Sequence, residues 1–119
     1  MAPTEETPGV HLDKAGNQFR MWGKSLPEDV ASFFEPVMGW LHNYQEVPNQ
    51  ATVFDFRMAY FNTASSKIIL DILRLLENLH RDGTDVRVTW THREDDEDME
   101  EAGEEYSEIV ELPFDLVAT

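Results

Sequence analysis

One junction constrains this chain more than any other. Across Tyr60-Phe61-Asn62-Thr63-Ala64-Ser65-Ser66-Lys67, an alternating apolar run hands over to a strongly helical one. Upstream, Val53-Phe54-Asp55-Phe56-Arg57-Met58 alternates with period two, as a strand with one buried face does. Downstream, Ile68, Ile69, Ile72, Leu73, Leu75, Leu76 and Leu79 recur at helical spacing. Three hydroxyl residues, Thr63, Ser65 and Ser66, therefore sit at the positive end of a helix dipole. Backbone N–H groups there lack intrahelical acceptors, so the position suits a capping side chain or an added phosphate.

The flanking pattern supplies the remaining elements. Val10-His11-Leu12-Asp13 and Gln18-Phe19-Arg20-Met21-Trp22 read as short strands, joined by the turn-forming Lys14-Ala15-Gly16-Asn17. Ser25-Leu26-Pro27-Glu28-Asp29 signals a helix start with Pro27 in the first turn. That helix carries Val30, Phe33, Phe34, Val37, Leu41 and Tyr44 on one face, and Pro36 inside it is expected to bend or restart it. The central helix closes at His80-Arg81-Asp82-Gly83, with Gly83 as a left-handed cap. Asp85 to Thr91 alternates again as a strand.

The five acids Glu94 to Asp98 read by default as a solvated loop. Met99, Ala102 and Tyr106 then mark a short amphipathic helix with acids at its N-terminus. Ile109 to Val117 is expected to be extended, with Pro113 favouring a sheet edge. The order β-β-α-β-α-β-α-β predicts an α/β fold, a small mixed sheet with helices on one or both faces. Residues 1–8 are expected to form a flexible tail and residues 9–119 a single domain.

Composition narrows the partners. The 119 residues carry a net charge of −15 with only nine scattered Lys and Arg, which argues against DNA, RNA and anionic membrane surfaces. No apolar run is long enough to span a bilayer, and Met1 to Pro8 is polar and acidic rather than signal-like. Zero cysteines remove disulfides, thiol nucleophiles and thiolate metal sites. The simplest expectation is a cytoplasmic protein without a cofactor.

Two roles for Thr63 stand side by side. It can cap the helix, its hydroxyl accepting from an N–H two or three residues on, a contribution of about 1 kcal/mol. It can also accept a phosphate, whose charge of roughly −2 would meet the N–H groups of Ala64, Ser65 and Ser66 and the ammonium of Lys67. Ser66 stands where a capping box would place Glu or Gln. Ser65 and Ser66 are alternative acceptors, although first-turn helix chemistry accounts for both; Asn62 supports the turn through its side chain. His11, His42, His80 and His92 have no metal-site or catalytic spacing and read as surface or strand-edge residues. Trp22, Trp40 and Trp90 read as packing residues. No glycine-rich loop opens a helix.

Taken together, Asp55-Phe56-Arg57, Tyr60 to Lys67, Leu70-Asp71-Ile72 and Leu75-Leu76-Glu77 resemble the core of the SiaC-type regulatory phosphoproteins. Ser25-x-Pro27-Glu28, Trp40 and Pro113-Phe114 extend the resemblance over nearly the whole chain. It implies a STAS-like fold of about five strands and three helices, related to anti-sigma-factor antagonists. It further implies phosphorylation of Thr63, among Asn62, Ala64, Ser65, Ser66 and Lys67, by a histidine-kinase-like Ser/Thr kinase, and dephosphorylation by a PP2C-type phosphatase. The implied target is a GGDEF diguanylate cyclase, and through it cyclic di-GMP and biofilm or aggregation. Pro36 and the acidic segment depart from the family pattern. An anti-sigma-factor antagonist acting on an anti-sigma kinase is the nearest alternative, and a small anion-binding domain or enzyme a more distant one.

Overall fold

The computed structural model describes residues 1–119. Its elements are β1 (Gly9–Asp13), β2 (Gln18–Ser25), α1 (Val30–Tyr44), β3 (Ala51–Phe61), α2 (Thr63–Arg81), β4 (Asp85–His92), α3 (Glu97–Ile109) and β5 (Phe114–Ala118). The strands lie in chain order, β1-β2-β3-β4-β5. The β1–β2 hairpin is antiparallel, and every later neighbour is parallel, joined through a helix. Connections of this kind are almost always right-handed. Because each crossover steps the same way along the sheet, all three helices fall on one face.

Burial follows that geometry. Phe19, Met21, Phe54, Phe56, Met58, Val86, Val88 and Trp90 point under the helices, and the alternate residues point to solvent. Parallel sheets are usually covered on both sides. Here the bare face carries, beside the exposed Val53, three side-chain pairs: Arg57 on Asp55 at 2.9 Å, Arg87 on Asp115 at 2.9 Å, and Arg20 over the Trp22 ring at 5.6 Å. Trp22 lies flat against the backbone of Gly9, where any side chain would collide with the indole.

Trp90 organises the other face. Fully buried, it packs on Phe56, Phe61, Tyr106 and Phe114, and its indole N–H donates to Met99 O at 3.0 Å. The α3 backbone comes so close that a Cβ on Gly103 would stand 2.5 Å from Trp90 Cδ1 and 2.7 Å from Leu116 Cδ2. At the opposite end of the sheet, the Tyr44 hydroxyl bonds Thr52 Oγ1 at 2.7 Å, and Trp40 stacks on Tyr44.

The element order is as the sequence predicts; several boundaries are not. Helix α1 starts at Val30, not around Pro27, because the Asp29 carboxylate caps it by accepting from the N–H of Ser32 at 3.1 Å. Pro36 neither breaks nor restarts it. The proline lies on the exposed side, where water can take the carbonyl of Ser32 that loses its donor. The acidic block does not form a separate loop throughout: Asp96 caps α3 through Met99 N, and Glu97 and Asp98 occupy its first turn. Ile109 ends that helix rather than starting an extended run. His92 is buried at the end of β4, not a surface residue. In the segment before β1, Met1 O accepts from Val10 N at 3.0 Å and Glu6 O accepts from Leu26 N at 2.8 Å.

One buried carboxylate ties the end of α3 to α2. Glu77, with its side chain 3% exposed, accepts from Glu111 N at 2.6 Å and pairs with Arg74 and Arg81, each at 3.1 Å. The backbone N–H of Glu111, with help from Arg74 and Arg81, holds its carboxyl below the ordinary value of 4.5. The folded state therefore binds fewer protons than the unfolded chain just below that pH. The stabilisation is complete above pH 4.5 and drains away as pH falls through the lower folded value. In urea melts, Glu77→Gln is expected to cost about 2 kcal/mol at pH 7, with the difference from wild type shrinking towards pH 3. A difference independent of pH would contradict this role.

Candidate functional site

The site begins with a fault in the ladder between β2 and β3. Gly23 faces Met58, but Lys24 faces Tyr60, so Ala59 is an extra residue in β3. Gly23 adopts a φ of 90°, open to glycine at little cost. Such a bulge resets which face the following residues occupy. Ala59 and Tyr60 both turn to solvent, and Phe61 swings inward, edge-on to Trp90 at 6.3 Å.

Three strand and helix ends are then pinned together. Ser25, the last residue of β2, faces Phe61, and its carbonyl accepts from Asn62 N at 3.0 Å. The Ser25 hydroxyl donates to Ser65 Oγ at 2.8 Å, a wholly buried pair between the end of β2 and the first turn of α2. This fixes where α2 starts and how its first turn is rotated.

Asn62, not Thr63, caps the helix. Its side-chain oxygen accepts from Ser65 N at 2.8 Å, and its carbonyl accepts from Ser66 N at 3.0 Å. Thr63 is the first helical residue and is exposed. The N–H groups at Ser65 and Ser66 are already used, so an anion at this end would meet those of Thr63 and Ala64. Asparagine ranks at or above threonine as a cap; that ranking was the available signal for Asn62. Nothing in the sequence pointed to the Ser25–Ser65 pair.

The neighbouring side chains divide by exposure. Ser65 is inaccessible. The Ser66 hydroxyl is turned back onto its own helix, donating to Thr63 O at 2.7 Å. Lys67 is exposed and enters no ion pair. Tyr106 reaches from α3 to donate its hydroxyl to Ser66 O at 2.9 Å. Burial pushes that phenol up to about 12, with Glu105 adding to the effect, so it remains a neutral donor at physiological pH. Thr63 alone combines an exposed hydroxyl, freedom from capping and a place at the positive helix end.

Elsewhere, a concavity of about 330 Å³ gathers Arg57, Thr91, His92, Arg93, Asp96 and Thr119. No three His, Asp or Glu side chains converge as metal ligands. The cleft nearest the site lies between α2 and α3, lined by Phe61, Leu70, Ala102, Tyr106 and Ile109 with Ser66, Lys67 and Glu105 at its rim. An enzyme site would gather several polar groups in a concavity; this one is an exposed helix end beside an apolar groove. No helix is long and apolar enough to cross a membrane.

A one-sided α/β domain presenting a single free threonine at a helix N-terminus has the build of a regulatory, partner-binding domain. The chain belongs to the SiaC family of regulatory phosphoproteins, whose model matches residues 1–119. It is 32% identical over 115 residues to an uncharacterised protein of Pseudomonas aeruginosa strain UCBPP-PA14, covering 97% of this chain and 91% of that one. Among solved structures it resembles a chain in the complex of the diguanylate cyclase SiaD with its activator SiaC, from Pseudomonas aeruginosa. There the identity is 32% and the TM-score 0.91, over 98% of this chain and 96% of that one. SiaC of the same organism matches at 30% identity and a TM-score of 0.91, over 100% and 96% of the two chains. The five-stranded sheet with three helices is thus the fold of the SiaC structures.

The division of labour at the helix start has a measurable consequence. Asn62→Ala is expected to lower unfolding free energy by about 1 kcal/mol. Thr63→Ala should change it by no more than about 0.5 kcal/mol. Denaturant titration of the two variants checks this, and the reverse ranking would return the capping role to Thr63.

Proposed function

We propose that this chain is a non-catalytic cytoplasmic regulator that binds a GGDEF diguanylate cyclase and is switched by reversible phosphorylation of Thr63. A histidine-kinase-like Ser/Thr kinase transfers the phosphoryl group from ATP to Thr63 Oγ1, and a PP2C-type phosphatase hydrolyses it. The observation that carries the reading is the exposure of Thr63 at the first helical position, with Asn62 capping and Ser65 buried. Family membership and the fold shared with SiaC, the activator of SiaD, favour a cyclase over an anti-sigma kinase as the target.

The chemistry of the switch is local. A phosphothreonine carries a charge of about −1.5 to −2 at neutral pH. At Thr63 the dipole of a 19-residue helix, the N–H groups of Thr63 and Ala64, and the ammonium of Lys67 all favour it. Asn62, Ser65 and Ser66 hold the turn in shape. The added charge lies at the surface, where it alters what a partner meets without disturbing the core.

Phosphosite mapping of the protein purified from its native host is expected to find phosphate on Thr63 and none on Ser65. Thr63→Ala should abolish the label and still bind the cyclase. A phosphorylated Ser66 persisting at full stoichiometry in Thr63→Ala would overturn the assignment.

A further inference from the structure

We infer that the groove between α2 and α3 is the seat of the cyclase, and that it takes an amphipathic helix of that partner with a basic flank turned towards α3. This rests on the partner-binding function proposed above and names the surface that performs it.

The groove is apolar, and nothing in the chain covers it. Phe61, Leu70, Ala102 and Ile109 form its floor, and Ile109 is 46% exposed at the end of α3. Its volume of about 260 Å³ lies below the usual range for small-molecule pockets. A helix laying two or three apolar anchors into it needs no more.

Charge selects the occupant. Asp98, Glu101, Glu105 and Glu108 recur at intervals of three, four and three residues, one stripe along α3 on the side of Ala102 and Ile109. All four are exposed, and none enters an ion pair. A partner helix with Lys or Arg along one flank satisfies that stripe while its apolar face fills the floor. The bare sheet face has a larger opening, about 410 Å³ lined by Arg20, Met21, Trp22, Asp55 and Arg57, but its charged groups are already engaged, Arg57 with Asp55 and Arg20 over Trp22.

The groove also reaches the switch. Thr63, Lys67 and Leu70 lie at intervals of four and three residues, one line along α2. Lys67, on the α2 rim, is the positive point opposite the α3 stripe, and a partner carboxylate there would complete the fit. Phosphate on Thr63 takes Lys67 for itself and repels that carboxylate, so one modification at the mouth weakens contact along the groove.

Binding of the full-length GGDEF cyclase from the native host, measured by calorimetry, tests this with surface variants that retain the wild-type melting temperature. Ile109→Glu and Glu105→Lys are each expected to weaken binding at least tenfold, and Val53→Asp on the bare sheet face to leave it unchanged. Raising salt should weaken wild type more than Glu101→Lys/Glu105→Lys. Because the chain has no cysteine, a photo-crosslinker on Glu104→Cys, exposed on α3 beside the stripe, should trap a basic helical segment of the cyclase. Wild-type affinity in both groove variants, with binding still lost in Thr63→Asp, would overturn the groove and leave the switch standing. No binding by wild type would overturn both.

Discussion

Strand order that follows chain order, combined with the right hand of each βαβ crossover, decides the placement of everything else. It sends α1, α2 and α3 to one face and leaves the other uncovered. It also removes the point where strand order reverses, the crevice in which open α/β sheets usually hold ligands. The function proposed for the chain falls instead on a helix end and the channel between two neighbouring helices. Both lie where β3 delivers the chain into α2.

The packing around Trp90 turns that topology into a defined site. Its indole bond to Met99 and the missing side chain at Gly103 bring α3 close to the sheet. From there Tyr106 reaches the first turn of α2, and Glu77 clasps the segment after α3. The bulge at Ala59 rotates Phe61 into the same aromatic cluster, so strand, helix and groove share one anchor. The Ser25–Ser65 pair sets the rotation of the first turn and leaves Thr63 outward. The frame thus leaves the Thr63 hydroxyl exposed at the start of α2.

Much of this was legible in the residues because alternation and helical spacing report burial directly. The strand over Val53 to Met58 and the helix over Ile68 to Leu79 needed only period. Alternation ended at Met58 in the sequence because Ala59 is a bulge, while β3 continues to Phe61. Pairing between strands decides such a residue, and local pattern does not contain it. The start of α1 was misplaced for a related reason: Asp29, after Pro27, takes the cap, just as Asn62 rather than Thr63 takes it at α2, and tertiary geometry settles both choices. One-sided coverage depended on strand order, which no segment encodes alone. Thr63 stood out by its setting, but the residues alone left its hydroxyl divided between capping and modification. The observed cap at Asn62 removes the first of those demands.

The switch proposed at Thr63 is electrostatic. A strongly acidic protein carries few positive features, and two of them, the α2 N-terminus and Lys67, adjoin Thr63. A phosphate placed there would draw on both and leave less positive charge for a partner to meet. The most direct measurement is cyclic di-GMP synthesis by the cyclase, titrated with homogeneous protein either unmodified or phosphorylated on Thr63. The unmodified protein is expected to raise turnover saturably, and the phosphorylated protein to require at least tenfold more for the same effect. Superimposable titration curves for the two forms would contradict it.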